Sequence, residues 1–412
     1  MNIFSWVFPA VVAVVAAVRL WLLDRQWRHV QAHRALVPAA FRDTISAESH
    51  ARSADYACAQ ARVSMAETVV EALLLLALTL GGGLAGILAF WAGSGAPVVV
   101  WGVGAVLTVG LLVALAGLPF RIYRTFRVEA EFGFNRRSSG LFIGDLLQEG
   151  VLTLLLAGPL VAAFLVLMDR GGLLWWLYAW GLWTAFTLTL TWLYPKWIAP
   201  LFHEFTPLEE PRLRQRILGL LQRCGFSLKG VYVMDASRRT THGNAYFTGM
   251  GRAKRVVFFD TLLDTLAPPE VEAVLAHELG HYRLAHIRSG FVLNVLATLG
   301  VMALLAWLRG EGWFYTGLGV ARPSDPAFLT LLVLTGPWFA FFLQPLGAWW
   351  SRRRELEADA FAARYSDPDA LAQALVALYR VNASTLTPDP LYARTFHSHP
   401  SPIERVQALK GE

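Results

Sequence analysis

The stretch "LAHELGHYRLAHIRSGFVLNVLATLGVMALLAWL" (Leu275–Leu308) combines two kinds of sequence. It opens with two histidines four apart, His277 and His281, and Glu278 beside the first; it closes with an uncharged apolar run, Phe291–Leu308. A bilayer core about 30 Å thick takes about 20 apolar residues in a helix. If the second half spans a membrane, the first half sits at that membrane's surface. The residues just before it, "APPEVEAV" (Ala267–Val274), predict a helix start, because Pro268 and Pro269 suit a first turn and Glu270 favours the positive end of the helix dipole. On that helix His277 and His281 share a face. Zinc takes about four ligands and accepts neutral imidazole. Glu278, turned about 100° from His277, stands beside such an ion rather than on it, placed to take a proton from water. A plain amphipathic helix explains the motif equally well until a third ligand is found.

Carboxylates suited to that role lie in "SRRRELEADAFAARY" (Ser351–Tyr365), which follows another apolar run. Glu355 and Asp359 lie one turn apart on one face, whereas Glu357 points about 160° away. Glu355 is the predicted third ligand. Asp359 is then placed to accept a hydrogen bond from the second nitrogen of a ligating histidine, which fixes its tautomer. A solvated charged helix is the competing reading.

Around these elements the chain reads as membrane. Of its 412 residues 55% are hydrophobic and 16% charged, well below the roughly 25% charged of a typical soluble domain. Seven apolar runs qualify as spans: Ile3–Leu23, Val69–Trp91, Val98–Phe120, Val151–Met168, Leu173–Tyr194, Phe291–Leu308 and Ala327–Trp350. Arginines 25, 28, 34, 42, 52 and 62 follow the first run, 121, 124, 127, 136 and 137 the third, and 352–354 the last. The alternate connections "AGSGAP" (Ala92–Pro97) and "DRGG" (Asp169–Gly172) have no net charge. By the positive-inside rule the N-terminus lies outside, and the polar segments Asp24–Ser64, Lys196–Ile287 and Ser351–Glu412 are cytoplasmic. The net charge of +6 thus reflects topology rather than a nucleic-acid partner. A transporter would carry ionisable groups within its spans, and these runs read as nearly free of them. Cys58 and Cys224, with no CxxC spacing, read as free thiols on a reducing side.

The second polar segment predicts a helix over Glu209–Cys224. Period-2 runs follow at Gly230–Met234, Asn244–Thr248 and Arg255–Phe259, the last two joined by the turn "GMGRAK" (Gly249–Lys254). The expectation is a mainly α, polytopic membrane protein with a small cytoplasmic α+β unit. Its predicted parts are five membrane helices over 1–195, an α+β catalytic segment over 196–290, two further membrane helices over 291–350, and a C-terminal segment over 351–412 that brings the third ligand.

With both polar elements in view, the chain resembles the type I CAAX prenyl endopeptidases, membrane zinc peptidases of the gluzincin kind. The resemblance rests on "GFNRRSSGLFIGD" (Gly133–Asp145), "YPKWIAPLFHEFTPL" (Tyr194–Leu208), "NAYFTG" (Asn244–Gly249), "VVFFDTLL" (Val256–Leu263), "HELGH" (His277–His281), "SRRRELEADAFA" (Ser351–Ala362) and "HPSPIERVQAL" (His399–Leu409), in that order. It implies seven helices around an intramembrane chamber capped by the peptidase unit. It further implies one zinc on His277, His281 and Glu355, Glu278 as base, and Asp359 completing the ligand helix motif. The last motif falls on His399, Pro400, Glu404 and Arg405, with His399 an oxyanion stabiliser and Arg405 a support. The family's "HSNAYF" reads "HGNAYF" here, with Gly243 in place of serine. The Ala/Arg/Leu-rich composition and compact length point to a bacterial homologue in a plasma membrane.

The expected chemistry is hydrolysis of a peptide or protein substrate that has a prenylated or membrane-associated C-terminus. An extended peptide would add to the strand carrying Asn244, Ala245 and Tyr246. Alternatives are a quality-control endopeptidase acting on unprenylated membrane proteins and a non-enzymatic transporter or scaffold. His203, His242, His286 and His397 receive no role.

Overall fold

The computed structural model describes residues 2–226, 230–248 and 255–410; the turn expected at Gly249–Lys254 lies outside them. In chain order, α1 (Phe4–Ala32) and α2 (Ala47–Leu78) lead to α3 (Gly83–Ala92), α4 (Val98–Tyr123), α5 (Ser139–Arg170) and α6 (Trp175–Leu193). A small sheet with one helix follows: β1 (Phe205–Pro207), α7 (Pro211–Cys224), β2 (Gly230–Met234), β3 (Ala245–Thr248) and β4 (Arg255–Phe259). Then come α8 (Pro268–Arg283), α9 (His286–Arg309), α10 (Asp325–Ala340), α11 (Gln344–Tyr365), α12 (Pro368–Val381), α13 (Pro390–Phe396) and α14 (Pro402–Lys410).

Six helical stretches are long and apolar enough to cross a membrane, and a seventh if α2 and α3, meeting at 53°, count as one span. That bend divides the second apolar run at "LGGG". A Cβ on Gly81 would meet Ala77 O at 2.5 Å and Gly82 has φ 79°, so glycine permits the turn. The most apolar window of α9 has none of its residues buried, and Leu296, Leu304 and Trp307 are exposed. Surface of that kind is stable facing lipid rather than water.

The membrane core forms where α1, α2, α4 and α10 meet, around Phe8, Val12, Leu75, Val109, Phe328 and Leu331. The apolar runs carry two charges, and they meet. Arg19 of α1 pairs with Glu71 of α2 at 3.1 Å and lies over the Trp338 ring, beside a cavity of about 700 Å³. Pairing lets both charges stay at that depth. The first polar segment is largely helical, α1 and α2 running on past their apolar stretches.

The sheet order is β1-β2-β4-β3, with β2 and β4 parallel and both outer pairs antiparallel. Its Val256, Phe258 and Ala245 face packs on α7, α8 and α12 through Ile217, Leu220, Leu275, Leu279 and Leu371. Strand β3 pairs with β4 alone among the described residues, so its other edge is open. The polar unit is tied to the spans by a buried ion pair, Arg239 with both oxygens of Asp145 at 3.1 and 2.8 Å. Both thiols, Cys58 and Cys224, are buried and unbridged.

Candidate metal centre

Helix α8 begins as its sequence dictates: Pro268 and Pro269 open it, and Glu270 Oε2 accepts from Ala267 N at 2.7 Å. Glu272 anchors it to α7 through Arg216 at 2.8 Å and through Arg223. The opposing helix, α11, comes straight out of the last span after a single turn at Phe341–Leu343. The two cross closely because one position of the histidine motif is glycine. A Cβ on Gly280 would lie 3.2 Å from the Cα and O of Ala358. Ala358 is three residues past Glu355, so this contact brings Glu355 against the histidine face.

Three donors converge there. His277 Nε2 lies 3.2 Å from His281 Nε2 and 3.4 Å from Glu355 Oε2; His281 Nε2 lies 3.3 Å from Glu355 Oε1. Glu355 Oε2 is buried and accepts no hydrogen bond in the protein. A buried carboxylate oxygen with a ring nitrogen 3.4 Å away normally has a partner. Metal–nitrogen bonds of about 2.0–2.1 Å give tetrahedral edges of about 3.3–3.4 Å, so this donor set fits one small divalent cation. Among the described residues it is the one such group of three or more.

The far side of His277 is closed. Its Nδ1 lies 2.7 Å from Asp359 Oδ1, near in distance though not well aligned for a straight hydrogen bond. Arg405 grips both oxygens of Asp359 at 2.8 and 2.6 Å, and all three side chains are buried. Burial alone depresses the His277 imidazole, but its contacts with Asp359 and Glu355 outweigh that and raise the metal-free group to about 9. Arg405 is held by α14, whose start is a reciprocal cap: Ser401 N donates to Glu404 Oε2 at 2.8 Å and Glu404 N to Ser401 Oγ at 3.3 Å. Glu404 therefore serves the helix end and steadies the turn that presents His399.

The near side is open. Glu278 lines two cavities at once. The protein crowded around it pushes its carboxyl above the ordinary value, opposed by the two histidines. One cavity, about 800 Å³, is bounded by Asn244, Tyr379, His397 and His399; the other, about 660 Å³, runs between α9 and α11 along Leu293, Leu346 and Trp350. His399 Nε2 reaches to 3.4 Å from Glu355 Oε2 and its Nδ1 lies 2.9 Å from Ser398 Oγ. Its surroundings depress its imidazole, an effect limited by a side chain that is 60% exposed.

Along the open edge of β3 the main-chain groups alternate. Phe259 N donates to Asn244 O at 2.9 Å, and the register pairs Tyr246 with Val257. Asn244 and Tyr246 thus direct their main-chain groups at β4, while Ala245 and Phe247 face outward. The Ala245 N–H is already taken by Asn244 Oδ1 at 2.8 Å. Gly243, just upstream, is clamped by Asn382, which accepts from its N at 2.9 Å and donates to its O at 3.1 Å. Asn382 carried no recognisable signal in the sequence.

The histidines left without a role divide. His203 lies 3.3 Å from Asp235. His242 stacks on Phe134 and reaches Glu129 at 3.4 Å. His397 lines the larger cavity. His286 stands directly behind His281, its Nδ1 3.1 Å from the Nδ1 of that ring.

A largely buried two-histidine, one-glutamate cluster held between a motif helix and the foot of a membrane span marks a membrane metallopeptidase. Comparison with known proteins agrees along the whole length. Residues 26–204 match the family described as CAAX prenyl protease N-terminal, five membrane helices, and residues 207–412 match peptidase family M48. The CAAX prenyl protease 1 homolog of Oryza sativa subsp. japonica is 35% identical over 303 residues, 72% of this chain and 70% of that protein. CAAX prenyl protease 1 of Saccharomyces cerevisiae is 34% identical over 316 residues, 72% of this chain and 69% of its own. The crystal structure of S. mikatae Ste24p matches with a TM-score of 0.91 at 28% identity, covering 99% of both chains. The chain belongs to the M48 peptidases of CAAX prenyl protease type, and it is a multi-pass membrane metallopeptidase.

Proposed function

We propose that the metal is a single zinc ion held by His277, His281 and Glu355, and that the chain cleaves peptides delivered from the membrane. The observation that carries this reading is the close triangle of His277, His281 and Glu355, one of whose carboxylate oxygens has no hydrogen-bond partner in the protein. Zinc in such a site supplies a Lewis acid for the scissile carbonyl and brings the pKa of water toward about 7. Glu278 takes the proton of the attacking water and hands it to the leaving amine. His399, with Ser398 Oγ at its Nδ1, offers an N–H from Nε2 to the oxygen on which charge develops. Asp359 holds His277 in the tautomer whose Nε2 lone pair faces the ion, and Arg405 holds Asp359. The peptide lies along the open edge of β3, pairing with the Ala245 carbonyl and with both main-chain groups of Phe247, a mode that reads extension more than side chains. Asn244 and Tyr246 support that edge from within.

Residues 196–290 and 351–412 form the catalytic unit, on the cytoplasmic side of a bacterial plasma membrane with the N-terminus outside. The relatives, which are named CAAX prenyl proteases, and the apolar cavity between α9 and α11 support this substrate class. A lipidated C-terminus can rest its chain there while its peptide lies across Glu278. Cleavage of matched farnesylated and unmodified peptides by the purified protein tests this. A lower KM for the farnesylated peptide is expected. Equal rates on both would shift the assignment to general membrane proteolysis.

A further inference from the structure

We propose that His286 is the positioning residue for the ligand His281, and that Glu357 anchors it. The inference rests on the zinc reading above. His281 Nε2 faces the other two donors, so as a ligand it keeps its proton on Nδ1. That N–H points at His286 Nδ1, 3.1 Å away, which must accept. His286 then carries its own proton on Nε2, which lies 3.0 Å from Glu357 Oε2 and donates to it. One set of protons satisfies the whole chain. The outer oxygen of Glu357 is held in turn by Arg353 Nε at 3.3 Å.

The backbone is arranged to make this contact. In a continuous helix, residues five apart point about 140° away from each other. Here α8 ends, Ala285 takes φ 59° and ψ 27°, and α9 restarts at His286, which turns that ring back onto His281. A non-glycine residue with positive φ costs on the order of 1 kcal/mol and persists where the surroundings require it. His286 is also the one buried residue of α9. The two ligand histidines therefore have unlike supports: a carboxylate directly behind His277, and a second imidazole interposed before the carboxylate behind His281.

The test compares His286→Ala, His286→Asn and Glu357→Ala with the parent and with His281→Ala in the full-length protein. Zinc affinity is read by chelator competition, and the ligand field by the visible spectrum of the cobalt-substituted protein. His286→Ala is expected to bind zinc about 10–100-fold more weakly and to alter the cobalt spectrum. In His286→Asn the amide oxygen can stand where Nδ1 was, so most of the affinity and the spectrum should return. Glu357→Ala should lose less than His286→Ala. Parent-like affinity and spectrum in His286→Ala, or no recovery in His286→Asn, would overturn the proposal. If His286→Ala does not fold, the Asn and Glu357 variants decide by the same criteria. His281→Ala separates the two layers: loss of zinc there beside full retention in the His286 variants sinks the relay alone, whereas retention in His281→Ala sinks the zinc assignment itself.

Discussion

The two sides of this site are built in opposite ways. Behind His277, the Asp359–Arg405 pair is buried, charged and doubly hydrogen-bonded. In front of the donors, Glu278, His399 and the edge of β3 open onto two cavities. The closed side can hold geometry because nothing competes with its contacts, and the open side can meet a substrate because little occupies it. The contrast predicts that changes behind the donors act on stability and metal retention, while changes in front act on turnover with the metal still bound.

The largest effect is expected from Arg405→Ala. It takes from the buried Asp359 carboxylate the guanidinium bonded to both its oxygens, at a cost of about 3–5 kcal/mol. Thermal unfolding of the metal-free protein reads it directly, and an unchanged midpoint would show that the closed side is not what holds the site. Next is His399→Ala, for which kcat should fall about 10²–10³-fold with zinc content unchanged. Unchanged kinetics would make His399 a wall residue.

A third prediction concerns pH. His277 is raised to about 9 in the metal-free protein, above an unfolded value of about 6.5. Its stabilisation of the metal-free fold is therefore fully present below about pH 6.5 and is lost as pH rises toward 9. Bound zinc needs the neutral ring, so the loaded protein should lack this loss and zinc affinity should climb over the same interval. Parallel stability curves with and without metal would break the comparison. The smallest effect is expected at the strand edge: N-methylation of one peptide amide facing β3 should raise KM several-fold, in keeping with about 1 kcal/mol for one hydrogen bond.

What the sequence made legible was whatever a single element decides. Lipid demands long apolar runs, so the spans could be read, and a one-turn spacing puts His277 with His281 and Glu355 with Asp359 on common faces. What it hid depends on how elements are joined. His286 sits at a spacing that misses His281 on any unbroken helix, and only the turn at Ala285 brings it back. The outward parity of β3, Ala245 and Phe247 rather than Asn244 and Tyr246, is set by its register on β4. Arg19 and Glu71 are single charges in separate apolar runs, and their pairing exists only in the packed bundle.

Metal analysis of purified protein tests the central claim most directly. One zinc per chain is expected in the parent and in Glu278→Gln, with hydrolysis lost in the latter, and little or no zinc in Glu355→Ala. A parent without stoichiometric transition metal, or a Glu355→Ala protein that keeps it, would contradict a zinc ion held by His277, His281 and Glu355.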